Sequence, residues 1–150
     1  MATSYAFDDR NIRWYPLGDF KHFVFAVLNV DEQKKVVDVI AKFEPNKQIF
    51  LHVHRAFANL FVVQGEHRIY EPNGEIKTVR PAGSYTTYAP GDAHREGGGD
   101  EVCIVFYSFR LDDETLWDVL DDDLNVVGSA TMEDLIGLSK EQKKDQPALQ

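Results

Sequence analysis

Cysteine is nearly absent from this 150-residue chain. Cys103 stands alone, so no disulfide can form within it. The single thiol lies in the apolar run 101–110 (EVCIVFYSFR) and reads as a small buried hydrophobe. No apolar run approaches the ~20 residues that a bilayer-spanning helix needs. The opening MATSYAFDDR has neither a basic n-region nor an apolar h-region, so no signal peptide is expected and a reducing cytoplasm is the simplest location. Cations are scarce: 16 Lys and Arg against 25 Asp and Glu give a formal net charge of -9. That balance argues against nucleic-acid and anionic-membrane partners, both of which select for clustered Lys and Arg. Many of the acids crowd 112–123, as on a solvated face. Internal repeats and linkers are also missing, and the length suits one domain over 1–150.

What the chain does have is β-pattern. Residues 21–30 and 34–43 are rich in Val, Phe and Ile, with a polar turn between them. Further strands are expected at 48–54, 59–64, 66–71, 76–80, 84–88 and 101–110, with Pro72-Asn73-Gly74-Glu75 as a hairpin turn. Residues 111–120 are mixed, and 124–127 suits a short strand. Thr131, followed by Asp134 at the third position beyond it, opens a helix running to about 144. Many short strands and one late helix indicate an all-β sandwich or barrel, with its core over about 20–128.

The chemistry gathers in two segments. In 46–65 (NKQIFLHVHRAFANLFVVQG), strand alternation puts Phe50, His52 and His54 on one face and turns Arg55 to the other. Two imidazoles about 7 Å apart at their bases can converge on one ion, although a His-x-His pair alone does not specify a metal. In 83–94 (GSYTTYAPGDAH), the rigid Pro90-Gly91-Asp92 turn delivers a third histidine, His94.

Taken in order, these segments resemble the two motifs of the cupin superfamily, G-x5-H-x-H-x(3,4)-E-x6-G and G-x5-P-x-G-x2-H. The match covers the central half of the chain. The resemblance implies an all-β cupin jelly-roll barrel with one short C-terminal helix, and one divalent metal held by His52, His54 and His94. Asn46 stands at a turn glycine, a mild change because Asn tolerates the left-handed conformation. Ala89 replaces a loop proline, with Pro90 keeping the loop stiff. The glutamate of the first motif falls on Asn59 or, with the shorter spacing, on Ala58, and either choice removes a carboxylate. Three neutral imidazoles would leave about three positions of an octahedral ion open, room for an anionic bidentate ligand and for dioxygen.

Within the cupins, IRWYPLGDF (12–20) and the 40-residue step from His54 to His94 resemble the group of acetylacetone-cleaving and 2,4'-dihydroxyacetophenone dioxygenases. That likeness implies an Fe(II) dioxygenase acting on a small β-diketone or hydroxyketone. Zn, Ni or Mn could occupy the same ligands. A non-oxidative isomerase or cyclase and a metal-containing ligand-binding cupin are the alternatives. Asn59 and Phe61 are expected to point inward in strand phase, with Asn59 and Glu96 as candidate catalytic groups; Glu96, two residues past His94, is also a candidate fourth ligand. Phe50, Phe61, Tyr85 and Phe106 are expected to line the substrate pocket, and Tyr88 to stand at its rim. His22 and His67 have no partner at ligand spacing and suit structural roles. Cupin habit and exposed strand edges imply a homodimer or larger homo-oligomer.

Overall fold

The computed structural model describes residues 5–144, in which eleven strands precede one helix. In chain order these are β1 (Phe23–Asp31), β2 (Val36–Phe43), β3 (His52–His54), β4 (Phe57–Gln64), β5 (His67–Tyr70) and β6 (Ile76–Arg80). There follow β7 (Tyr85–Tyr88), β8 (Arg95–Gly98), β9 (Cys103–Arg110), β10 (Thr115–Leu120), β11 (Val126–Thr131) and α1 (Met132–Lys144). One antiparallel sheet runs β1-β2-β9-β4-β7. Two three-stranded sheets, β11-β10-β3 and β6-β5-β8, form the facing layer. The bridges His52↔His94 and Gln48↔Gly97 join those two sheets edge to edge. The result is a jelly-roll barrel, as the resemblance implied, closed by a C-terminal helix.

The large sheet is built on strict alternation. Val37, Val39, Ala41 and Phe43 of β2 face inward, as do Ala58, Leu60 and Val62 of β4 and Cys103, Val105, Tyr107 and Phe109 of β9. Register enforces the phase, because directly opposite residues share a face: Ala58 pairs Phe109, Leu60 pairs Tyr107 and Val62 pairs Val105. Burying each large apolar side chain contributes about 1.5–3 kcal/mol. On the outer face Ala26, Ile40 and Ile104 are covered by Phe7, Ile12 and Trp14 of the N-terminal segment. Lys42 fastens that segment, 5.1 Å over the Trp14 ring and 2.7 Å from Asp9.

The structure departs from expectation at four elements. Only His52–His54 of the expected strand 48–54 is laddered, the residues before it running as an irregular approach to β8. β8 itself was not expected, since REGG is a poor strand sequence. Its glycines are required by close approach: a Cβ on Gly97 would run into the Lys47 carbonyl. β10, in the mixed stretch, gains its pairing from β3 on one side and β11 on the other. β11 is longer than the expected 124–127 and ends where the helix begins. There the Thr131–Asp134 cap forms reciprocally, Asp134 Oδ2 accepting from Thr131 N at 2.9 Å and Thr131 Oγ1 from Asp134 N at 3.2 Å. Asn46 takes the left-handed conformation expected of it, with φ 56°. α1 is not long and apolar enough to cross a membrane.

Candidate metal centre

Alternation in β3 buries His52 and His54 and turns Arg55 outward to Asp118 at 2.8 Å. β3 lies between β10, where Trp117 pairs His54 and Val119 pairs His52, and the backbone of His94. Two hydrogen bonds fix that last pairing: His52 N donates to His94 O at 3.0 Å, and His94 N to His52 O at 2.9 Å. The third imidazole is therefore placed by ladder register as much as by its loop. The ring centroids of His52, His54 and His94 lie 4.5–5.1 Å apart.

A carboxylate completes the cluster. Glu96 sits two residues beyond His94 on the same side of the chain and is 3% exposed. Its Oε2 lies 2.7 Å from His52 Nε2, 3.5 Å from His94 Nε2 and 3.7 Å from His54 Nε2. Its Oε1 accepts from the Tyr107 hydroxyl at 2.7 Å and lies 2.8 Å from His67 Nε2. One ligand atom from each of His52, His54, His94 and Glu96 lies within 4.8 Å of the others. The expected loss of the carboxylate is thus corrected. On β4 the inward residue is Ala58, while Asn59 faces outward and accepts from Thr87 Oγ1 and Arg110 Nη2, both at 3.1 Å. The acid comes from β8 instead.

Hydrogen bonding prepares the imidazoles as donors of lone pairs. A carbonyl can only accept, so His52 and His94 carry protons on Nδ1, donated to Phe50 O at 3.0 Å and Asp92 O at 2.9 Å. That turns Nε2 of both toward the cluster, and His94 Nε2 is buried with no hydrogen-bond partner among the described residues. Burial pushes the pKa of His54 down to about 4, so this ring is neutral near pH 7. Burial opposes charging of His94 as well, yet the Glu96 carboxylate 3.5 Å away raises its pKa. For Glu96 burial favours the protonated form, but the imidazoles of His52 and His67 in hydrogen-bond contact with it, and those of His54 and His94 close by, hold its carboxyl well below the usual range. Burial and the Glu96 charge keep Tyr107 protonated, and so a donor. A buried ionised carboxylate among lone-pair nitrogens calls for a cation. These four side chains could hold one divalent metal, and three imidazoles with a carboxylate suit Fe, Zn, Ni or Mn.

Two cavities meet at the cluster. A mainly apolar one of about 600 Å³ runs from His52, His54 and Glu96 past Phe25, Phe43, Phe109 and Trp117 to α1. A smaller one of about 330 Å³, lined by Lys77, Thr78, Arg80 and Tyr88, reaches His54 and His94 from the other side. Of the expected pocket residues, Phe50 lines the larger cavity. Phe61 does not: it is 42% exposed and pairs Phe106 on the outer face of the sheet, so both point away from the site. Tyr85 is 64% exposed. The error is one of phase. The even-numbered face of His52 and His54 continues through Ala56 into β4 without a slip, so 58, 60 and 62 are inward. The same alternation within 101–110 selects Tyr107 and Phe109, which sequence reasoning missed along with Trp117. His67, fully buried and stacked on Phe43, secures Glu96. His22 pairs with Glu44 at the surface, 2.7 Å away.

A family model described as the ChrR cupin-like domain matches residues 3–110. The chain belongs to this family. Among solved structures, the cupin resembles an acetylacetone dioxygenase from Acinetobacter johnsonii at 15% identity and a TM-score of 0.71, over 95% of this chain and 94% of that one. An RmlC-like cupin protein from Ralstonia eutropha is similar at 16% identity and a TM-score of 0.73, over 95% and 88%. The polyketide cyclase RemF from Streptomyces resistomycificus is similar at 15% identity and a TM-score of 0.56, over 72% and 80%. At these identities the likeness is one of fold. No curated protein matches the chain in sequence.

Proposed function

We propose that this cupin is a mononuclear non-haem metal-dependent dioxygenase that cleaves a carbon–carbon bond of a small β-diketone or hydroxyketone, with Fe(II) the favoured metal. The observation that carries this reading is the buried His52, His54, His94 and Glu96 cluster at the end of an apolar cavity large enough for a small ketone. The fold it shares with an acetylacetone dioxygenase supports the reading. A bound divalent ion would act as a Lewis acid and template for an enolate. The protein's part is to place the ligands, exclude water and hold protons. Phe25, Phe43, Phe109 and Trp117 supply apolar walls, and Tyr107 keeps Glu96 oriented through its hydroxyl.

Glu96 also favours a second reading, a non-oxidative metal isomerase or cyclase. A fourth protein donor offsets part of the ion's charge and leaves two octahedral positions open in place of three, enough for substrate alone. The fold shared with RemF is compatible with this.

Elemental analysis of protein purified without chelator, paired with oxygen uptake on a panel of diketones and hydroxyacetophenones, tests both. Near-stoichiometric metal and one oxygen consumed per substrate by the iron form are expected. Metal without uptake across the panel moves the assignment to the second reading, and protein that takes up no metal overturns the site.

A further inference from the structure

We propose that the smaller cavity is a carboxylate subsite, in which Arg80 takes the acid group of the substrate while its dicarbonyl end reaches the histidine cluster. The proposal rests on the dicarbonyl reading above and narrows its substrate class to short dioxo acids.

Arg80 closes β6 and lines the cavity that reaches His54 and His94. Its guanidinium lies 4.6 Å over the Tyr88 ring, and that ring stacks on His94 at 5.8 Å with 12° between planes. The aromatic contact holds the guanidinium in the cavity wall, where its fork can meet a planar anion. One donor on that edge has no partner among the described residues: Nη1 is buried with no acceptor, a costly state for a charged donor. Asp92, the acid on this wall, is directed to Lys77 at 3.5 Å, and Glu71 lies 4.0 Å from the same ammonium. Lys77 is thus matched by neighbouring acids, and Arg80 is left as the uncompensated charge of the cavity. One guanidinium fork suits a singly charged carboxylate, held bidentately. A phosphate would bring a second charge with nothing to meet it.

Arg80 and His94 both lie against the Tyr88 ring and line one cavity, so the acid and the dicarbonyl are joined by a short chain. The larger, apolar cavity, which also reaches His54, receives the remaining carbon end.

The test is calorimetric titration of zinc-loaded protein with 2,4-dioxopentanoate and with its methyl ester, which keeps the chelating dicarbonyl and loses the charge. The acid is expected to bind at least tenfold more tightly than the ester. That preference should vanish in Arg80→Gln, with ester affinity and zinc content unchanged. Arg80→Lys, which keeps charge but not the fork, should retain a reduced preference, and thermal melts of both variants verify folding. Equal binding of acid and ester, an undiminished preference in both variants, or binding of neither compound overturns the proposal. An Arg80-dependent preference without oxygen consumption by the iron form leaves the subsite standing and overturns the dioxygenase reading alone.

Discussion

Four imidazoles surround one buried carboxylate, and the consequences of changing Glu96 follow from that count. Its neighbours among the described residues are His52, His54, His67 and His94, with Tyr107 donating to Oε1. Glu96→Gln keeps the volume and the acceptor for Tyr107 but removes the charge that would face a cation. Metal affinity should fall by at least about 10- to 100-fold, the range seen when even an outer partner of a ligand is lost. Competition against a chromophoric chelator measures it. Affinity equal to that of the parent protein would make Glu96 a packing residue only. Tyr107 could have been found beside it, because the alternation of 101–110 already selects the odd positions once Cys103 is taken as buried. Glu96 was a candidate from its place two residues beyond His94, but its four partners come from β3, β5 and the loop before β8, which no local pattern brings together.

At the level of elements, legibility followed the strength of local pattern. β1, β2, β4 and β9 carry enough Val, Ile, Leu and Phe to announce themselves. β8 and β10 are strands by tertiary pairing, with glycine in one and acids around the other, and their sequences gave little sign of it. The facing of β4 was misread for a different reason: the motif's glutamate spacing suggested Asn59, whereas the unbroken even phase from His52 puts Ala58 inward. The helix was readable from its cap. In α1, Thr131 and Asp134 exchange side-chain and backbone hydrogen bonds, while Gln142 Oε1 accepts from Val27 N at 2.7 Å and ties the far end to β1. Because Leu135 and Met132 are buried, α1 is anchored by packing as well as by capping. Thr131→Ala should therefore cost about 0.5–2 kcal/mol, the ordinary worth of an N-cap, without unfolding the barrel. Urea denaturation reads this as a lower midpoint at unchanged slope, and a changed slope would show that the helix detaches on its own.

For the whole molecule, the cluster lies at a seam. The sheets β11-β10-β3 and β6-β5-β8 are joined edge to edge by the bridges His52↔His94 and Gln48↔Gly97, and the candidate ligands come from both sides of the first. An ion held there would cross-link the two sheets and relieve the ionised carboxylate buried between them. Binding to the folded chain alone stabilises by RT ln(1 + [M]/Kd), about 2.7 kcal/mol at free metal one hundred times Kd. For a chain of this length each kcal/mol moves Tm by roughly 2–4 °C, so chelator should lower Tm by about 5–10 °C and added metal should restore it. His94→Ala removes one donor and cuts the link across the seam. Its Tm should be lower than that of the parent protein with metal and insensitive to chelator. The same variant separates two origins of stability: a Tm that resists chelator in the parent protein as well would mean that the four ligand side chains hold the seam by hydrogen bonding alone.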